Sequence, residues 1–277
     1  MKDLFFPVTG ATSDDAALDT AAAVASAYDA RLIATVPAPA YAPLATPWGV
    51  TPDSVALGEM LAVIEAESRM RAQSLRERLK NLDPASEIRI DPDHFFEPSR
   101  SLARQARYAD LSLIACPQGR DGAIAHAYFR ALLFESGRPV LVVPSRPIPA
   151  KRFSKMLIAW KPTRETTRAV HDAIAFLSPG SAEVLAIDPE VSVFEHGAEP
   201  GADIAAHLAR HGIRTQVTTR PSASQSIAQV VMAHAKETGA DLVVAGGYGH
   251  GRLREWVLGG ATRELFEGLD VPVLFSH

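Results

Sequence analysis

The sequence predicts an α/β protein made of two tandem open parallel five-stranded sheets flanked by helices, a Rossmann-like architecture. Two observations predict it. Short β-rich apolar runs alternate with amphipathic helical patterns along the 277 residues, and that order yields a parallel sheet covered by helices on both faces. The pattern also restarts halfway, and its letters repeat. Ala109-Asp110-Leu111 matches Ala240-Asp241-Leu242, and Gly137 matches Gly268, at an offset of 131; Pro139-Val140-Leu141 matches Pro272-Val273-Leu274 at an offset of 133. A period this long marks tandem domains and not a solenoid. The polar, proline-bearing linker from Ser145 to Arg152 sets the expected domains at 1–146 and 153–277.

In the first half, strands are predicted at 4–8, 31–36, 87–90, 111–115 and 140–143. Helices are predicted from Ser13, read as an N-cap before Asp14-Asp15, and over 54–82, 98–108 and 124–136. In the second half, strands are predicted at 156–160, 183–187, 216–219, 242–245 and 273–275. Its helices are predicted at 165–177, with Val170, Ile174 and Leu177 on one face, at 203–210 ended by Gly212, at 226–237, and at 262–267 closed by Gly268 as a C′ residue. The first half alone carries a proline-rich segment, 37–52, with Tyr41 and Trp48. It reads as a flap, a partner contact, or a loop packed on its own domain.

Composition narrows the function classes. Net charge is −4, from 28 Lys and Arg against 32 Asp and Glu, with no basic run. That argues against nucleic acid as a main partner, because phosphate backbones are held by clustered basic surface. The one cysteine, Cys116, permits no intrachain disulfide, which points to a reducing compartment. The start, MKDLFFPVTG, lacks a signal-peptide core and cleavage region. No apolar stretch approaches the roughly 20 residues of a membrane span. The expected location is cytoplasmic, with no membrane partner.

The chemistry-bearing motif follows the fourth strand of the second half: Gly246-Gly247-Tyr248-Gly249-His250-Gly251-Arg252, then Gly259-Gly260-Ala261-Thr262 at the next helix. Glycines let a backbone turn tightly and approach a ligand. The carboxyl end of a parallel strand, running into a helix N-terminus, is where open α/β sheets take anions. The spacing is neither G-x-G-x-x-G nor a Walker A loop. Position alone leaves phosphate binding and an ordinary glycine turn both open. Arg252 and Arg254 either bridge phosphates or line a solvated turn.

Gly246-x2-Gly249-x9-Gly259 followed by a small residue resembles the ATP-binding motif of the universal stress protein (UspA) superfamily. The strand before it and Val271-Pro272-Val273-Leu274 after it fit as well, and the resemblance extends over both halves as a tandem universal stress protein. It implies a five-stranded parallel sheet per domain, a cytoplasmic stress-response regulator, and dimer-like pairing of domains within the chain or between chains of a homodimer. It also implies ATP or another adenine nucleotide, with or without Mg2+, on that loop. The implied nucleotide-binding residues are Gly246, Gly247, Gly249, His250, Gly251, Arg252, Gly259, Gly260, Ala261, Thr262 and Lys161. Two positions depart from the pattern. The Ser or Thr that usually follows the third glycine is Gly260 here, with Thr262 two residues on. The Asp usual at the end of the first strand is Lys161 in the second half and Thr9 in the first.

The first half lacks the motif. At offset 131, Gly246, Gly249, Gly259 and Gly260 correspond to Ala115, Gln118, Tyr128 and Phe129, and at 133 to Leu113, Cys116, His126 and Ala127. The first half is therefore expected to be structural or partner-binding, and the chain to hold at most one nucleotide. The alternative is a tandem adaptor that binds no nucleotide and acts through protein contacts. His207 and His211 are spaced for one metal, but no third ligand accompanies them in the sequence, so a solvated pair is expected. His171-Asp172 belongs to no triad, since no G-x-S-x-G is present. No general base with an orienting partner is evident, so at most weak ATP hydrolysis is expected. Cys116 reads as an inert core-edge thiol.

Overall fold

A computed structural model describes residues 1–37, 54–82, 86–91, 98–117, 122–146, 148, 152–176, 180–190, 198–247 and 260–277. The proline-rich segment lies outside them apart from Pro37.

The first half runs β1 (Asp3–Pro7), α1 (Asp14–Tyr28), β2 (Arg31–Val36), α2 (Ser54–Leu79), β3 (Glu87–Ile90), α3 (Pro98–Ala106), β4 (Leu111–Ala115), α4 (Gly122–Glu135) and β5 (Val140–Val143). The second runs β6 (Lys155–Ala159), α5 (Arg164–Ile174), β7 (Ser181–Ile187), α6 (Ala202–Arg210), β8 (Arg214–Arg220), α7 (Ile227–Thr238), β9 (Leu242–Gly246), α8 (Gly260–Glu267) and β10 (Val273–Ser276). The α/β class with a mostly parallel, helix-flanked sheet is as the sequence predicts.

The sheet itself is one and not two. Its order is β3-β2-β1-β4-β5-β10-β9-β6-β7-β8, so the order of the first five strands recurs, mirrored, in the last five. Every pairing is parallel except β5 with β10, which is antiparallel with Val142 opposite Val273, Leu141 opposite Leu274 and Val140 opposite Phe275. The register centres on Leu141 and Leu274, two residues that the sequence repeat equates. Two separate sheets would leave two apolar edge strands with unpaired backbone groups; joining them satisfies both.

Strand residues alternate between two core layers. Leu4 and Phe6 of β1 pack with Leu18 of α1, Leu79 of α2, Val170 of α5 and Leu208 of α6 in one layer. Phe5 points the other way, into a layer with Leu102 of α3, Phe129 of α4, Val231 of α7 and Phe266 of α8. Both layers cross the middle of the sheet. On one face the Phe129 and Phe266 rings stack at 4.2 Å, with Phe275 edge-on to Phe129 at 5.4 Å. On the other, the Tyr28 hydroxyl donates to the Phe176 carbonyl at 2.6 Å and accepts from the Phe153 N–H at 3.1 Å.

Helix ends follow the sequence signals in part. Ser226 and Gln229 form a reciprocal capping box on α7, which ends at Gly239 in the left-handed region, φ 68°. Ser13 occupies the N-cap position of α1 without a side-chain cap. Its backbone is already helical there, φ −72° and ψ −17°, and the Asp14 carboxylate instead ties down the loop before the helix, accepting from the Gly10 N–H and the Thr9 hydroxyl, each at 2.7 Å. Gly268 accordingly needs correction as well: its N–H donates to the Glu264 carbonyl at 3.0 Å, but it is not among the positive-φ glycines.

Phe129 is fully buried and belongs to the first half while its stacking partner belongs to the second. Phe129→Ala is expected to cost about 3–5 kcal/mol, the range for truncating a buried aromatic. The check is the shift of the urea unfolding midpoint at unchanged slope, and a cost below about 1 kcal/mol would mean that the seam is not packed as described.

Candidate functional site

Loops leave the second half of the sheet at the carboxyl ends of β6, β7 and β9, which pair side by side. Among the helices that start at that end are α5 after β6 and α8 after β9. Their N-termini carry unpaired N–H groups and the positive end of the helix dipole, so this edge favours an anion.

α5 is fixed by its cap. The Thr163 side chain accepts from the Thr166 N–H, and Thr166, Ala169, Val170 and Ala173 make its buried face. Thr166 then meets the strand end directly. A Cβ built on Gly246 would sit 2.6 Å from the Thr166 backbone nitrogen and 2.7 Å from its hydroxyl. A Cβ on Gly247 would sit 2.7 Å from a Leu133 methyl carbon of α4, in the other half. Packing against the α5 backbone therefore requires glycine at Gly246, whereas at Gly247 the Leu133 side chain would have to shift. The Gly247 N–H donates to the Ser276 carbonyl at 2.8 Å, and its carbonyl lies 3.0 Å from Nδ1 of His277.

Of the other residues expected in the site, Lys161 is half-buried two positions past the end of β6, and its carbonyl accepts from the Thr163 N–H at 2.7 Å. Gly260 is exposed at the first residue of α8, Ala261 is half-buried, and Thr262 is buried. Gly249, His250, Gly251, Arg252 and Gly259 lie outside the described residues. Six residues separate the end of β4 from α4, and thirteen separate the end of β9 from α8; the longer connection is the one that carries the glycines.

The first half is built differently at its carboxyl edge. Burial raises the pKa of Asp14 against its hydrogen bonds from Thr9 and Gly10. Tyr128, the offset-131 counterpart of Gly259, is buried here, and burial, then the charges of Asp14 and Asp91, push its hydroxyl up to about 12. Phe129, the counterpart of Gly260, is turned into the seam. Cys116 is buried, its thiol pushed up mainly by that burial, with Sγ 3.4 Å from the Glu267 carbonyl.

The fold also assembles groups that the sequence left apart. His171 of α5 brings its ring to 4.9 Å from that of His207, which lies 4.7 Å from that of His211, both pairs tilted by 63°. Nε2 of His207 is buried without a hydrogen-bond partner. Among the described residues no group of three or more His, Cys, Asp or Glu is arranged to hold a metal ion, these histidines included. A second network is buried between β7 and α7. Glu183 accepts from the Thr218 hydroxyl at 2.7 Å and lies 2.7 Å from Nε2 of His234. Burial opposes its charge, but hydrogen bonds from Thr218, His234 and Gln216 together hold its carboxyl below the usual range. The spacing pairs His207 with His211, but neither the addition of His171 nor the Glu183 network was legible from it, because they join positions 35–51 residues apart.

A cavity of about 500 Å3 lies by the amino ends of β6, β9 and β10, lined by Arg146, Phe153, Lys236, Asp241, Asp270 and Pro272 among others. It is at the wrong end of these strands for the ligand crevice of an open α/β sheet. Among the described residues, no helix is long and apolar enough to cross a membrane.

Comparison with known proteins agrees with this arrangement. The universal stress protein family model matches residues 152–277. A universal stress protein from Archaeoglobus fulgidus DSM 4304 superposes with a TM-score of 0.67 at 12% identity, over 98% of this chain and 94% of its own. A functionally unknown protein from Pseudomonas aeruginosa PAO1 does so with a TM-score of 0.53 at 15% identity, over 99% and 92%. At these identities the likeness is one of fold. A universal stress protein in complex with cAMP overlaps 52% of this chain and 97% of its own at 20% identity, with a TM-score of 0.32 that carries no argument about a ligand here. No curated protein matches the sequence.

Two predictions follow from the packed geometry. Gly246→Ala places a methyl group against the first turn of α5 and is expected to cost about 1–3 kcal/mol in a denaturant titration, as overpacking does. The second concerns acid. Burial first, then the neighbouring His171, His211 and Arg210, hold the His207 pKa below its ordinary 6.5. The folded chain thus binds fewer protons at this site than the unfolded chain. Its contribution is present above about pH 6.5 and is lost as pH falls toward the depressed folded value. Unfolding midpoints measured between pH 7.5 and 5.5 should fall less steeply in His207→Phe than in the parent; equal slopes would remove His207 as a cause.

Proposed function

We propose that the chain is a cytoplasmic tandem universal stress protein, with domains 1–146 and 153–277, that binds ATP or another adenine nucleotide in its second domain. One observation carries the reading. The glycine motif spans the thirteen-residue connection from β9 to α8, at the carboxyl edge of the sheet and inside the half that matches the family. In this reading the phosphates lie on the backbone of Gly249, His250, Gly251, Gly259, Gly260 and Ala261. Arg252 and Lys161 supply cationic charge, Thr262 supports the start of α8, and Gly246 and Gly247 set the path of the chain into the loop. Mg2+ accompanies the phosphates where present. Binding shifts conformation or the choice of protein partner, and chemistry on the nucleotide is at most slow.

The second reading is a tandem adaptor without nucleotide. It is favoured by the packing that already accounts for Gly246, and by Lys161 and Gly260 where the family pattern has Asp and a hydroxyl residue. Mass spectrometry of small molecules released from the purified protein separates the two.

Gly249→Val and Gly259→Val are each expected to abolish ATP binding in calorimetry while leaving the melting temperature near that of the parent, since a branched side chain would occupy phosphate space. Two variants that bind ATP like the parent would place the ligand elsewhere. Lys161→Asp is expected to weaken ATP more than adenosine, because the charge acts on the phosphates. Stronger ATP binding would instead assign this position to the nucleoside. The parent chain is expected to saturate at one nucleotide per polypeptide, and two equivalent sites would overturn the asymmetry.

A further inference from the structure

We propose that the cavity at the amino ends of β6, β9 and β10 binds a small amphipathic anion, a hydrocarbon body carrying one carboxylate. The site is separate from the glycine connection and does not rest on the nucleotide reading. Its volume is about 500 Å3, within the range of small-molecule sites, which gather where domains meet. Among the described residues it is lined by the connection between the halves, by the end of α7 with the turn into β9, and by residues 270–272 before β10.

The lining is largely apolar, with Ile148, Phe153, Ala235, Ala240, Val271 and Pro272. Hydrogen bonds within the fold hold these walls in place. The Phe153 N–H donates to the Tyr28 hydroxyl at 3.1 Å. The Ala240 N–H donates to the Ala235 carbonyl at 2.9 Å, and the Gly239 N–H to the Lys236 carbonyl at 3.3 Å. The Thr238 carbonyl accepts from Nζ of Lys155. Donors thus already cover the carbonyl end of α7, whose dipole would otherwise oppose an anion.

Charged side chains line the cavity as well: Arg146, Lys236, Asp241 and Asp270. The Asp241 carboxylate is committed elsewhere. It accepts from the Ser154 N–H at 3.1 Å, the Ser154 hydroxyl at 2.8 Å and the Lys155 N–H at 3.0 Å. One N–H of the Arg146 guanidinium donates to the Asp270 carbonyl at 3.0 Å, and a guanidinium carries further donors for a ligand. Lys236 is exposed in the last turn of α7, and Arg146 is exposed too. Among the described residues two cations therefore stand against one uncommitted acid, Asp270. The cations hold the head group at the mouth, and the apolar walls take the hydrocarbon. Exposed ion pairs contribute little each, so the hydrocarbon supplies most of the affinity and the cations select the sign of the head group.

The test is calorimetry on the full chain with hexanoate, heptanoate, octanoate, octanol and octylammonium. Affinity is expected to rise about fourfold per methylene from hexanoate to octanoate, the weight of a buried CH2. Octanoate should bind more tightly than octanol, and octylammonium most weakly. Arg146→Ala combined with Lys236→Ala should weaken octanoate by about two- to fivefold for each cation removed and leave octanol unchanged. Asp270→Asn should tighten octanoate alone. Val271→Trp, which fills the cavity, should abolish binding of all five probes; if it fails to fold, the variants at the exposed charges carry the test. Affinity independent of chain length, octylammonium binding as tightly as octanoate, or parent-like octanoate binding after both cations are removed would overturn the proposal. Displacement of octanoate by excess ATP would place the probe at the glycine connection and overturn it too. A parent that binds octanoate but no ATP would remove the nucleotide reading and leave this site standing.

Discussion

The antiparallel pairing of β5 with β10 is the constraint on which the other features rest. Only three residue pairs make it, yet they bring the two halves into one sheet, align both core layers across the seam, and put α4 beside the end of β9. Backbone pairing supplies the register, and the stacked Phe129 and Phe266 rings fill the layer above it. Burial of that kind stabilises by roughly 25 cal/mol per Å2 of apolar surface, so the aromatic pair outweighs the few exposed ion pairs nearby. His126 with Glu267, at 3.0 Å across the same seam and partly solvent-exposed, belongs to those weaker contacts.

The pairing also reverses the strand direction between halves. The carboxyl edge of the first half, with Thr9, Asp14, Asp91 and Tyr128, faces the opposite end of the sheet from Gly246 and Gly260. In the first half, six residues after β4 suffice to reach α4, and a buried tyrosine stands close to two aspartates. In the second, a longer connection carries the glycines. The asymmetry is a difference in loop length and side-chain bulk on a shared frame.

Much of the frame was legible in the sequence because it is local. Alternation of apolar runs with helical periodicity placed the strands and helices, with ends moved by one to three residues in most cases: α5 stops at Ile174 and β8 extends to Arg214 and Arg220. The repeated Pro-Val-Leu letters marked both strands that meet at the seam, though not that they meet, because sequence repeats carry no information about which edges pair. The glycine spacing located the candidate loop. The contacts of its first two glycines were hidden, since Thr166 lies 80 positions before Gly246 and Leu133 lies 114 positions before Gly247. His171 was dismissed as part of a missing triad; its companions are on another helix, and only the packing of α5 beside α6 unites them. Ser13 misled because a hydroxyl before two acids has the composition of a cap, while its backbone is helical and not extended as a capping residue's is.

Closing the sheet at its centre leaves β3 and β8 as its two outer strands, and they are different surfaces belonging to opposite halves. If one molecule added its β8 to the β3 of the next, the operation would repeat without closing and would grow a ribbon of indefinite length. The outer strands carry charges that discourage such growth. β8 begins and ends with arginine, Arg214 and Arg220, and β3 bears Arg89 and Glu87, the latter bridged to both Arg89 and Arg31. Charge on an outer strand must be stripped of water before a neighbour can pair with it. A chain that has used its apolar outer strands on itself is thus left with polar ones at the two ends of its sheet.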